Sequence, residues 1–337
     1  MDTSAASDWI PEAVSAELHA QARLEMRVAS LLRTVQMPTA SYRLPVQGNR
    51  PVPYLVSENS GADDDLDNTK RGPASDVGLG ASLTLNARKV GVRVVPSVEL
   101  TEDSVIAALP LIREEIISAL AVAREDSIIN GKASGPHFDS DVTAANDHRK
   151  WYNGLRYFAT AASAGNNQAV IAASTAGRLE LKDIRSVREK MGKYAINPKE
   201  CFWLTSVLGY NKLLGLVDSD GHQLVTTIDK FGSAATLVQG SIAALDGFGI
   251  VVSEHVRSDL NHAGYFDGLT SDAGICLLVN AREFVVGEYR TATLKSRELV
   301  ETDQLALVAM TRGDFGCYIP TANPWGPVGM IYDIRRS

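Results

Sequence analysis

The sequence predicts an α+β fold in which a long helix and an extended hairpin come before a strand-rich C-terminal part. Residues 110–129 carry the strongest amphipathic helical pattern in the chain. Residues 41–57 and 81–98 are two extended runs, and the residues between them have no periodicity. From Gly274 onward the pattern is that of successive strands. There is no internal repeat and no clean linker, which favours one elaborate domain or two intertwined ones.

The composition is that of a globular protein with a sizeable core. Of the 337 residues, 45% are hydrophobic and 22% are charged, a balance that suits a folded domain. The 33 Lys and Arg residues against 40 Asp and Glu residues leave a net charge of −7. A dedicated nucleic-acid reader normally carries a basic stripe, so this balance argues against one. It does not conflict with passive contact between one face and packed nucleic acid.

The cysteines and the absence of targeting signals predict a protein that is made and kept inside a cell, unless it leaves as part of a larger particle. Cys201, Cys276 and Cys317 are odd in number and far apart, and no C-x-x-C occurs. The sequence therefore predicts neither a zinc site nor a disulfide framework, and a reducing cytoplasm fits. No run approaches ~18 uninterrupted apolar residues, so no membrane span and no membrane partner are expected. The first twelve residues lack the features of a signal peptide.

The N-terminal part predicts a helical arm. Pro11 suits the first position of a helix because the N–H that it lacks would be unpaired there anyway. Apolar residues follow on one helical face, at Val14, Leu18, Val28 and Leu32, with Leu24 and Val35 at its edge. A helix that precedes every strand and has no partner close in sequence predicts an arm that packs on a neighbouring subunit.

The two extended runs predict a long hairpin. Prolines in the first run confine it to an edge or a ribbon. In the second run the alternation changes phase near Lys89 and Gly91, which predicts a β-bulge or bend. Residues 61–80 are rich in Gly, Asp and Ser, and a structureless loop of this length is uncommon inside a compact domain. We therefore expect a hairpin that reaches away from the body, with this loop as its tip.

The long helix follows the hairpin. Its inner face is formed by Val105, Leu109, Ile112, Ile116, Leu120 and Ala123. We expect Ile112, Ile116 and Leu120 to be its core contacts, and we place Glu125 on the opposite, polar face. The helix would be about 30 Å long at ~1.5 Å per residue. Asn130 and Gly131 end it, because glycine is the least strained residue in a left-handed cap.

The remaining elements follow from shorter patterns. Helices are predicted at residues 179–193 and 207–217. Strands are predicted at residues 151–158, 169–173, 201–205, 249–254, 274–280, 283–289, 291–296 and 304–319.

No pattern in the chain predicts a catalytic, metal or cofactor site. Residues 218–221 (DSDG) resemble the start of a calcium loop but lack the bidentate Glu, which leaves a tight turn. Residues 78–80 (GLG) lack the third glycine of a phosphate loop. His255 and His262, with Asp259 between them, are expected to be surface residues. The three cysteines are expected to be buried and structural.

One dense charge pattern lies in the predicted hairpin tip. It consists of Asp63, Asp64, Asp65 and Asp67, followed by Lys70 and Arg71. The simplest interpretation is a solvated loop tip. The functional alternative is a charge-complementary contact with another subunit, in which charges select the partner and the register more than they add affinity.

Four segments in this order resemble the major capsid proteins of tailed bacteriophages with the Hong Kong 97 fold. Residues 94–131 look like the end of the family's extended loop, its ELxEDS turn and its spine helix. Residues 197–224 look like its strand–helix–DSDG segment, and residues 245–254 like its LxGxPVxxS strand, with glycine where proline is common. Residues 274–313 look like its closing strands, so the resemblance covers nearly the whole chain.

The resemblance implies a Hong Kong 97-type division of the chain. Residues 1–40 would be the N-terminal arm and residues 41–98 the extended β-hairpin loop. Residues 99–194 and 271–337 would form the peripheral domain with the spine helix, and residues 195–270 the axial domain.

The resemblance also implies a function, which is self-assembly without catalysis or cofactors. Subunits would form hexamers and pentamers of an icosahedral shell that encloses double-stranded DNA, contacted non-specifically. Scaffolding, portal and decoration proteins would be further partners, and assembly would occur in the host cytoplasm before the protein resides in the virion capsid. The main alternative is an encapsulin-type shell around cargo enzymes. A mixed α/β enzyme or small-molecule binding protein is a third hypothesis, which the lack of a catalytic constellation disfavours.

Overall fold

The computed structural model describes residues 27–47, 51–53, 82–99, 108–133, 135–160, 170–173, 177–217, 223–227, 243–318 and 326–336. Within these ranges the helices are α1 (Ala108–Asn130), α2 (Leu155–Ala159), α3 (Leu181–Met191) and α4 (Val207–Leu214). The first strands are β1 (Arg33–Gln36), β2 (Ser41–Pro45), β3 (Ser82–Asn86), β4 (Arg88–Val94), β5 (Val170–Ala172) and β6 (Cys201–Thr205). The others are β7 (Thr226–Thr227), β8 (Ala243–Leu245), β9 (Phe248–Val252), β10 (Ala273–Asn280), β11 (Phe284–Leu299), β12 (Gln304–Cys317) and β13 (Val328–Arg335).

A seven-stranded mixed sheet forms the larger core, in the order β5-β13-β10-β6-β9-β8-β7. Strand β6 pairs in parallel with β9 and antiparallel with β10. Side chains of β6 alternate between two hydrophobic clusters: Phe202 and Leu204 pack on one side of the sheet, Cys201 and Trp203 on the other. All eight residues of β10 are buried, because both faces of the sheet are covered.

This sheet crosses the predicted domain boundaries. Its strands β6 to β9 lie within residues 195–270, whereas β5 lies before that range and β10 and β13 lie after it. A division that keeps the sheet whole would group β10 and β13 with β6. The domain limits therefore stay a proposal.

A four-stranded sheet forms the second layer, in the order β1-β11-β12-β4. The sequence predicts two strands at residues 283–289 and 291–296, but β11 is continuous from Phe284 to Leu299. The pairing with β12 shifts register between Glu288 and Arg290 and again between Arg290 and Thr293. These irregularities explain why the alternation breaks in the sequence while the backbone pairing continues.

The base of the predicted hairpin is confirmed. Strands β2 and β3 pair antiparallel, with Ser41 opposite Asn86 and Pro45 opposite Ser82. The change of phase that we predicted near Lys89 and Gly91 occurs earlier, at Ala87, where β3 ends and β4 begins. There the chain leaves β2 for β12, and the Ala87 N–H donates to the Ala40 carbonyl at 2.8 Å.

Helix α1 confirms the predicted long helix to within two residues at its start, and strand β6 is confirmed at its predicted bounds. Helix α3 is confirmed as well, and the Glu180 and Asp183 side chains cap its first turn reciprocally.

Three local predictions are wrong. Residues 33–36 form strand β1 rather than the end of a helix, because they pair in parallel with β11. The predicted strand at residues 151–158 is replaced by helix α2, whose first residue Leu155 follows an extended Gly154. Gly131 does not have the positive φ of a left-handed cap. It is glycine because a Cβ there would overlap the carbonyl oxygens of Ser127 and Tyr152.

Candidate assembly surfaces

The inner face of α1 packs on the four-stranded sheet. Ile116 and Leu120 are 1% and 4% exposed and contact Leu307 and Ala309 of β12. Ile112 is partly buried against the same cluster. The apolar residues of β4 complete this cluster, since β4 and β12 present the same face to the helix. The helix is therefore held by side chains from two strands between Leu109 and Leu120.

The polar side of α1 contains an unexpected anchor for the N-terminal segment. The sequence analysis places Glu125 on the outer face, which is wrong, since Glu125 is 0% exposed. Its carboxylate accepts three backbone N–H bonds, from Arg27 at 3.1 Å, Val28 at 2.7 Å and Ala29 at 3.0 Å. These donors are 96 to 98 residues away in sequence, so no local pattern could reveal them. The anchor fixes residues 27–29 against the long helix.

A groove of about 420 Å³ lies between α1, β11 and the anchored segment. Ile117 contributes an apolar wall and is 53% exposed. Arg124 of α1 and Glu288 of β11 also line the groove and form an ion pair at 2.5 Å. The groove shows that the outer side of the long helix carries exposed apolar surface beside a fixed charge pair.

The C-terminal end of α1 is joined to the rest of the chain by a buried polar network. The Arg156 guanidinium, which is 0% exposed, donates to Asp139 at 2.8 and 3.1 Å and to Asn130 at 3.0 Å. It also donates to the Gly264 carbonyl at 2.9 Å. The Asn130 amide donates in turn to the His255 carbonyl at 2.8 Å. A buried ion pair of this kind holds segments in register, and removal of one partner leaves an uncompensated charge.

Two further charge clusters surround that network. Arg257 binds Asp141 at 2.9 Å and Asp259 at 2.7 Å through its guanidinium. Asp126 accepts from His148 at 2.7 Å, and this contact joins α1 to the following loop. Burial raises the pKa of Asp126, but the hydrogen bonds from His148 and Asn130 outweigh burial, so the pKa lies below its ordinary value of 3.8.

The base of the β2–β3 hairpin is seated on two glycines of the four-stranded sheet. A Cβ at Gly287 would lie 2.7 Å from the Met37 Sδ and 2.9 Å from a Leu85 methyl group. A Cβ at Gly316 would lie 2.8 Å from the other Leu85 methyl group. Leu85 is 0% exposed and packs with Met37 and Val285. Close packing at these glycines fixes the base of the hairpin on the sheet.

The predicted hairpin tip lies outside the described residues. This applies to all of its charged candidates, Asp63, Asp64, Asp65, Asp67, Lys70 and Arg71. Residues 78–80 and 218–221, weighed above as phosphate and calcium loops, also lie outside the described ranges.

The cysteines and histidines considered above as catalytic or metal-binding candidates are buried or paired within the described residues. The three cysteines are buried, and burial raises the pKa of Cys201 and that of Cys276 to about 12. His255 is 7% exposed, so the expected surface position is wrong, and His262 binds Asp333 at 2.7 Å. Within the described ranges, no three His, Cys, Asp or Glu side chains are placed to hold a metal ion. No helix in the described part of the chain is long and apolar enough to cross a membrane.

Comparison with known sequences identifies one family pattern. The pattern described as the phage capsid family matches residues 6–322. No curated protein matches the chain significantly.

Comparison with solved structures finds the same architecture in several shell proteins. A structure titled Microbacterium phage Oxtober96 covers 98% of this chain and 98% of its own, with 16% identity and a TM-score of 0.68. The capsid of a native GTA particle covers 97% of this chain and 96% of its own, with 11% identity and a TM-score of 0.66. The SrpI encapsulin complex from Synechococcus elongatus PCC 7942 covers 100% of this chain and 96% of its own, with 10% identity and a lower TM-score of 0.56. At these identities the likeness establishes the fold.

Proposed function

The chain belongs to the phage capsid family, and from this premise we propose that it self-assembles into hexamers and pentamers of an icosahedral shell around double-stranded DNA. It is a phage major capsid protein with the mixed helix and strand fold of that group, and it resides in the virion capsid. The observation that carries the proposal is the match of the family pattern to nearly the whole chain, with capsid structures of the same fold. No catalytic step is part of the proposal.

Two features of the fold support assembly as the role of this chain. The N-terminal segment is fixed at Glu125 where it meets α1, so the preceding residues start from a defined point beside the groove. The β2–β3 hairpin starts from a fixed seat on the sheet. Segments that are held at rigid positions are suited to contacts with neighbouring copies, because obligate interfaces can bury thousands of Å².

In this proposal residues 1–40 act as the arm and residues 41–98 as the extended loop. The charged residues of the loop tip, from Asp63 to Arg71, form a contact with another subunit. Helix α1 acts as the spine, with Ile112, Ile116 and Leu120 as its core. Residues 99–194 and 271–337 form the peripheral domain and residues 195–270 the axial domain, and the seven-stranded sheet has strands from both.

The proposal includes partners other than the chain itself. Scaffolding and portal proteins would direct closure of the shell, and decoration proteins would bind the finished surface. DNA would be contacted non-specifically, at local surfaces, because the chain as a whole is acidic. Assembly would take place in the host cytoplasm.

Size-exclusion chromatography of the purified full chain, with negative-stain microscopy of the early fractions, tests the proposal. We expect shells, or rings of five or six subunits. Deletion of residues 61–80 should leave a folded subunit that does not form stable shells. Normal shells from that deletion would contradict the role given to the hairpin tip, and a monomer at every concentration, with scaffolding protein supplied, would contradict self-assembly.

The contents of purified particles separate the phage shell from the encapsulin alternative. Nuclease-protected double-stranded DNA and a single tail vertex are expected for the phage shell. Protein cargo without DNA would favour the encapsulin-type shell, whose structural match has the lower TM-score.

A further inference from the structure

The C-terminal end of α1 meets three histidines from later parts of the chain. His137 lies in the loop after α1, His148 lies in the short 3₁₀ helix His148–Lys150, and His255 lies in the segment after β9. Each of them contacts Asp126 or Asn130 of the helix. Histidine is the side chain whose charge ordinarily changes between about pH 5 and 8, so the contacts of each ring decide whether this end of the helix responds to pH.

The two ring nitrogens of His137 have opposite roles in hydrogen bonding. Its Nε2 lies 3.1 Å from the Asn130 carbonyl oxygen, which can only accept, so Nε2 carries the hydrogen. The backbone N–H of Asp139, which can only donate, points to Nδ1 at 3.1 Å. Nδ1 therefore keeps its lone pair. The two contacts together define one tautomer of the neutral imidazole, and they leave no place for a second proton.

These two contacts form a link between the helix and the loop. The Asn130 carbonyl is among the last four of α1, which have no partner within a helix, and His137 provides one. On the loop side, Asp139 is buried, and its carboxylate accepts from Arg156 at 2.8 Å and from the Phe266 N–H at 2.9 Å. The His137 ring therefore connects the end of α1 to the residue that binds the buried guanidinium.

His148 differs from His137, because a second proton on its ring would have an acceptor. Its Nε2 lies 2.7 Å from Asp126 Oδ2, and its Nδ1 lies 3.6 Å from Asp147 Oδ1. A proton on either nitrogen of His148 therefore points at a carboxylate. On His137 the second proton would lie on Nδ1 and point at the Asp139 N–H. Two donors at 3.1 Å cannot form a hydrogen bond, so this contact has to open.

The environment of His137 favours the neutral ring. The charged groups around it come from each segment that packs there, namely Asp139 of its own loop, Arg156 of α2, Arg149 of the 3₁₀ helix, Arg257 of the segment after β9 and Asp126 of α1. Burial lowers the pKa of His137, Asp139 and the bond to Asn130 raise it, and Arg156 and Arg149 lower it. The pKa lies below its ordinary value of 6.5, which agrees with the tautomer that the hydrogen bonds define.

We infer that His137 is a latch for residues 135–139 at the end of α1, closed while the ring is neutral and open once the ring is protonated. Opening removes the hydrogen bonds of the ring to Asn130 and Asp139. Helix α1 packs on the four-stranded sheet, whereas the His255 carbonyl that Asn130 also contacts follows β9 of the seven-stranded sheet. The latch therefore loosens a joint between the two layers in mild acid. It acts within one copy of the chain, so the inference does not depend on the proposed self-assembly.

The direction of the pKa shift gives the pH range in which the latch opens. A histidine whose pKa is lowered in the closed state stabilises that state fully above its pKa in the open state, and this stabilisation is lost as the pH falls toward the lowered value. In the open, solvated loop the pKa is the ordinary 6.5. The open population should therefore increase below about pH 6.5, by at most about tenfold per pH unit, which is the limit for one proton. The pKa of Asp126 lies below 3.8, so that carboxylate does not titrate in this range.

Hydrogen exchange of the full-length chain between about pH 5 and 8 tests the latch. Rates for the backbone amides of residues 135–141 are divided by the intrinsic rates at each pH, and size-exclusion chromatography confirms that the assembly state does not change. We expect the protection of these amides to fall several-fold between about pH 7 and 5. Peptides from β6, which is buried throughout, should keep their protection, because the opening is local.

Two substitutions at position 137 remove the titrating group. His137→Asn keeps an acceptor oxygen near the position of Nδ1, and His137→Gln instead keeps an amide N–H near the position of Nε2. In both chains the protection of residues 135–141 should no longer depend on pH in this range, and the second chain serves if the first does not fold. The matched control is His262→Asn, at an exposed histidine that binds Asp333 away from this joint. The control should retain the full pH response.

The exchange of the carbon-bound hydrogen between the two ring nitrogens gives a direct titration of His137. Its rate depends on the protonation state of the ring, and mass spectrometry of digested protein assigns it to one histidine. We expect the midpoint for His137 to lie below the ordinary 6.5 in the unmodified chain.

Three results would overturn the inference. Unchanged protection of residues 135–141 across the range would mean that the loop stays closed whatever the charge of the ring. A pH response that persists in both substituted chains would assign it to a group other than His137. A titration midpoint at or above 6.5 would mean that the closed loop does not favour the neutral ring.

Discussion

Replacement of Glu125 by Gln tests whether the N-terminal segment is anchored as the structure indicates. The substitution keeps the size of the side chain but leaves one acceptor oxygen in place of two. If the amide oxygen takes the Oε1 position, the bonds from Arg27 and Val28 become neutral and the bond from Ala29 is lost. A hydrogen bond to a charged group contributes about 1.5–3 kcal/mol and a neutral one about 0.5–1.5 kcal/mol. At the low end of these ranges, each neutralised bond loses about 1 kcal/mol and the missing bond about 1.5 kcal/mol, so the combined loss is about 3.5 kcal/mol.

Because the segment lies near the chain end, we expect local release before global unfolding. Hydrogen exchange at the Val28 amide, followed by mass spectrometry, should become about 300-fold faster, which is the factor that corresponds to about 3.5 kcal/mol. Glu114→Gln is the matched control, since Glu114 lies on the same helix and is exposed. Exchange at Val28 that is unchanged in the Glu125→Gln chain would refute the anchor, whatever the effect on global stability.

Three further substitutions address the core, the pH dependence and the hairpin seat. Ile116→Asp buries an unpaired carboxylate at a cost of several kcal/mol, so the chain should be insoluble on expression. The control Ile117→Asp, at a position 53% exposed, should fold. A soluble Ile116→Asp chain with an unchanged melting temperature would show that the helix is not packed as described. The pKa of Asp126 is lowered in the folded state, so its contribution to stability is present above the ordinary value of 3.8 and is lost as the pH falls below it. Urea unfolding between about pH 2 and 7 should show a shallower acid loss for Asp126→Asn, and an identical pH profile would contradict the role of that carboxylate. Gly316→Ala places a methyl group 2.8 Å from Leu85 and should lower the free energy of unfolding by about 1–3 kcal/mol. The control Gly215→Ala, whose nearest contacts would be 3.5 and 3.7 Å away, should be tolerated. Equal effects of the two substitutions in denaturant titrations would exclude close packing between Gly316 and Leu85.

Elements with a strong local pattern were predictable from the sequence. The long helix has apolar residues at helical spacing over six turns, and the structure confirms it as Ala108–Asn130. Strand β6 consists of consecutive apolar residues between turn signals, and it is buried on both faces. The pairing of β2 with β3 followed from two extended runs around a long polar insertion. In each case the signal lies within the segment that forms the element.

Elements whose form depends on a distant partner were not predictable in this way. Residues 33–36 continue a helical pattern in the sequence but form a strand, because β11 offers an edge to which they can bond. Residues 155–159 carry aromatic residues that suit a strand, yet they form a helix whose Arg156 is bound to Asp139 and Asn130. A pattern of apolar residues does not reveal that a guanidinium will be fully buried, since the residues that accept its hydrogen bonds lie elsewhere in the chain.

By itself, the sequence determined the α+β class, the long helix, the hairpin and the resemblance to phage capsid proteins, because periodicity and segment order are local properties. The tertiary structure decided which polar residues are buried and which surfaces meet. The helical pattern alone predicts that Glu125 faces solvent. In the folded chain it is buried, because the Val28 N–H, 97 residues away in sequence, donates to it. The row of cations at Lys89, Arg312 and Arg290 likewise exists only once strands β4, β12 and β11 are in register, because these residues become neighbours through backbone pairing. Periodicity reports which side of an element is apolar, but contacts between distant elements decide which charges are paired.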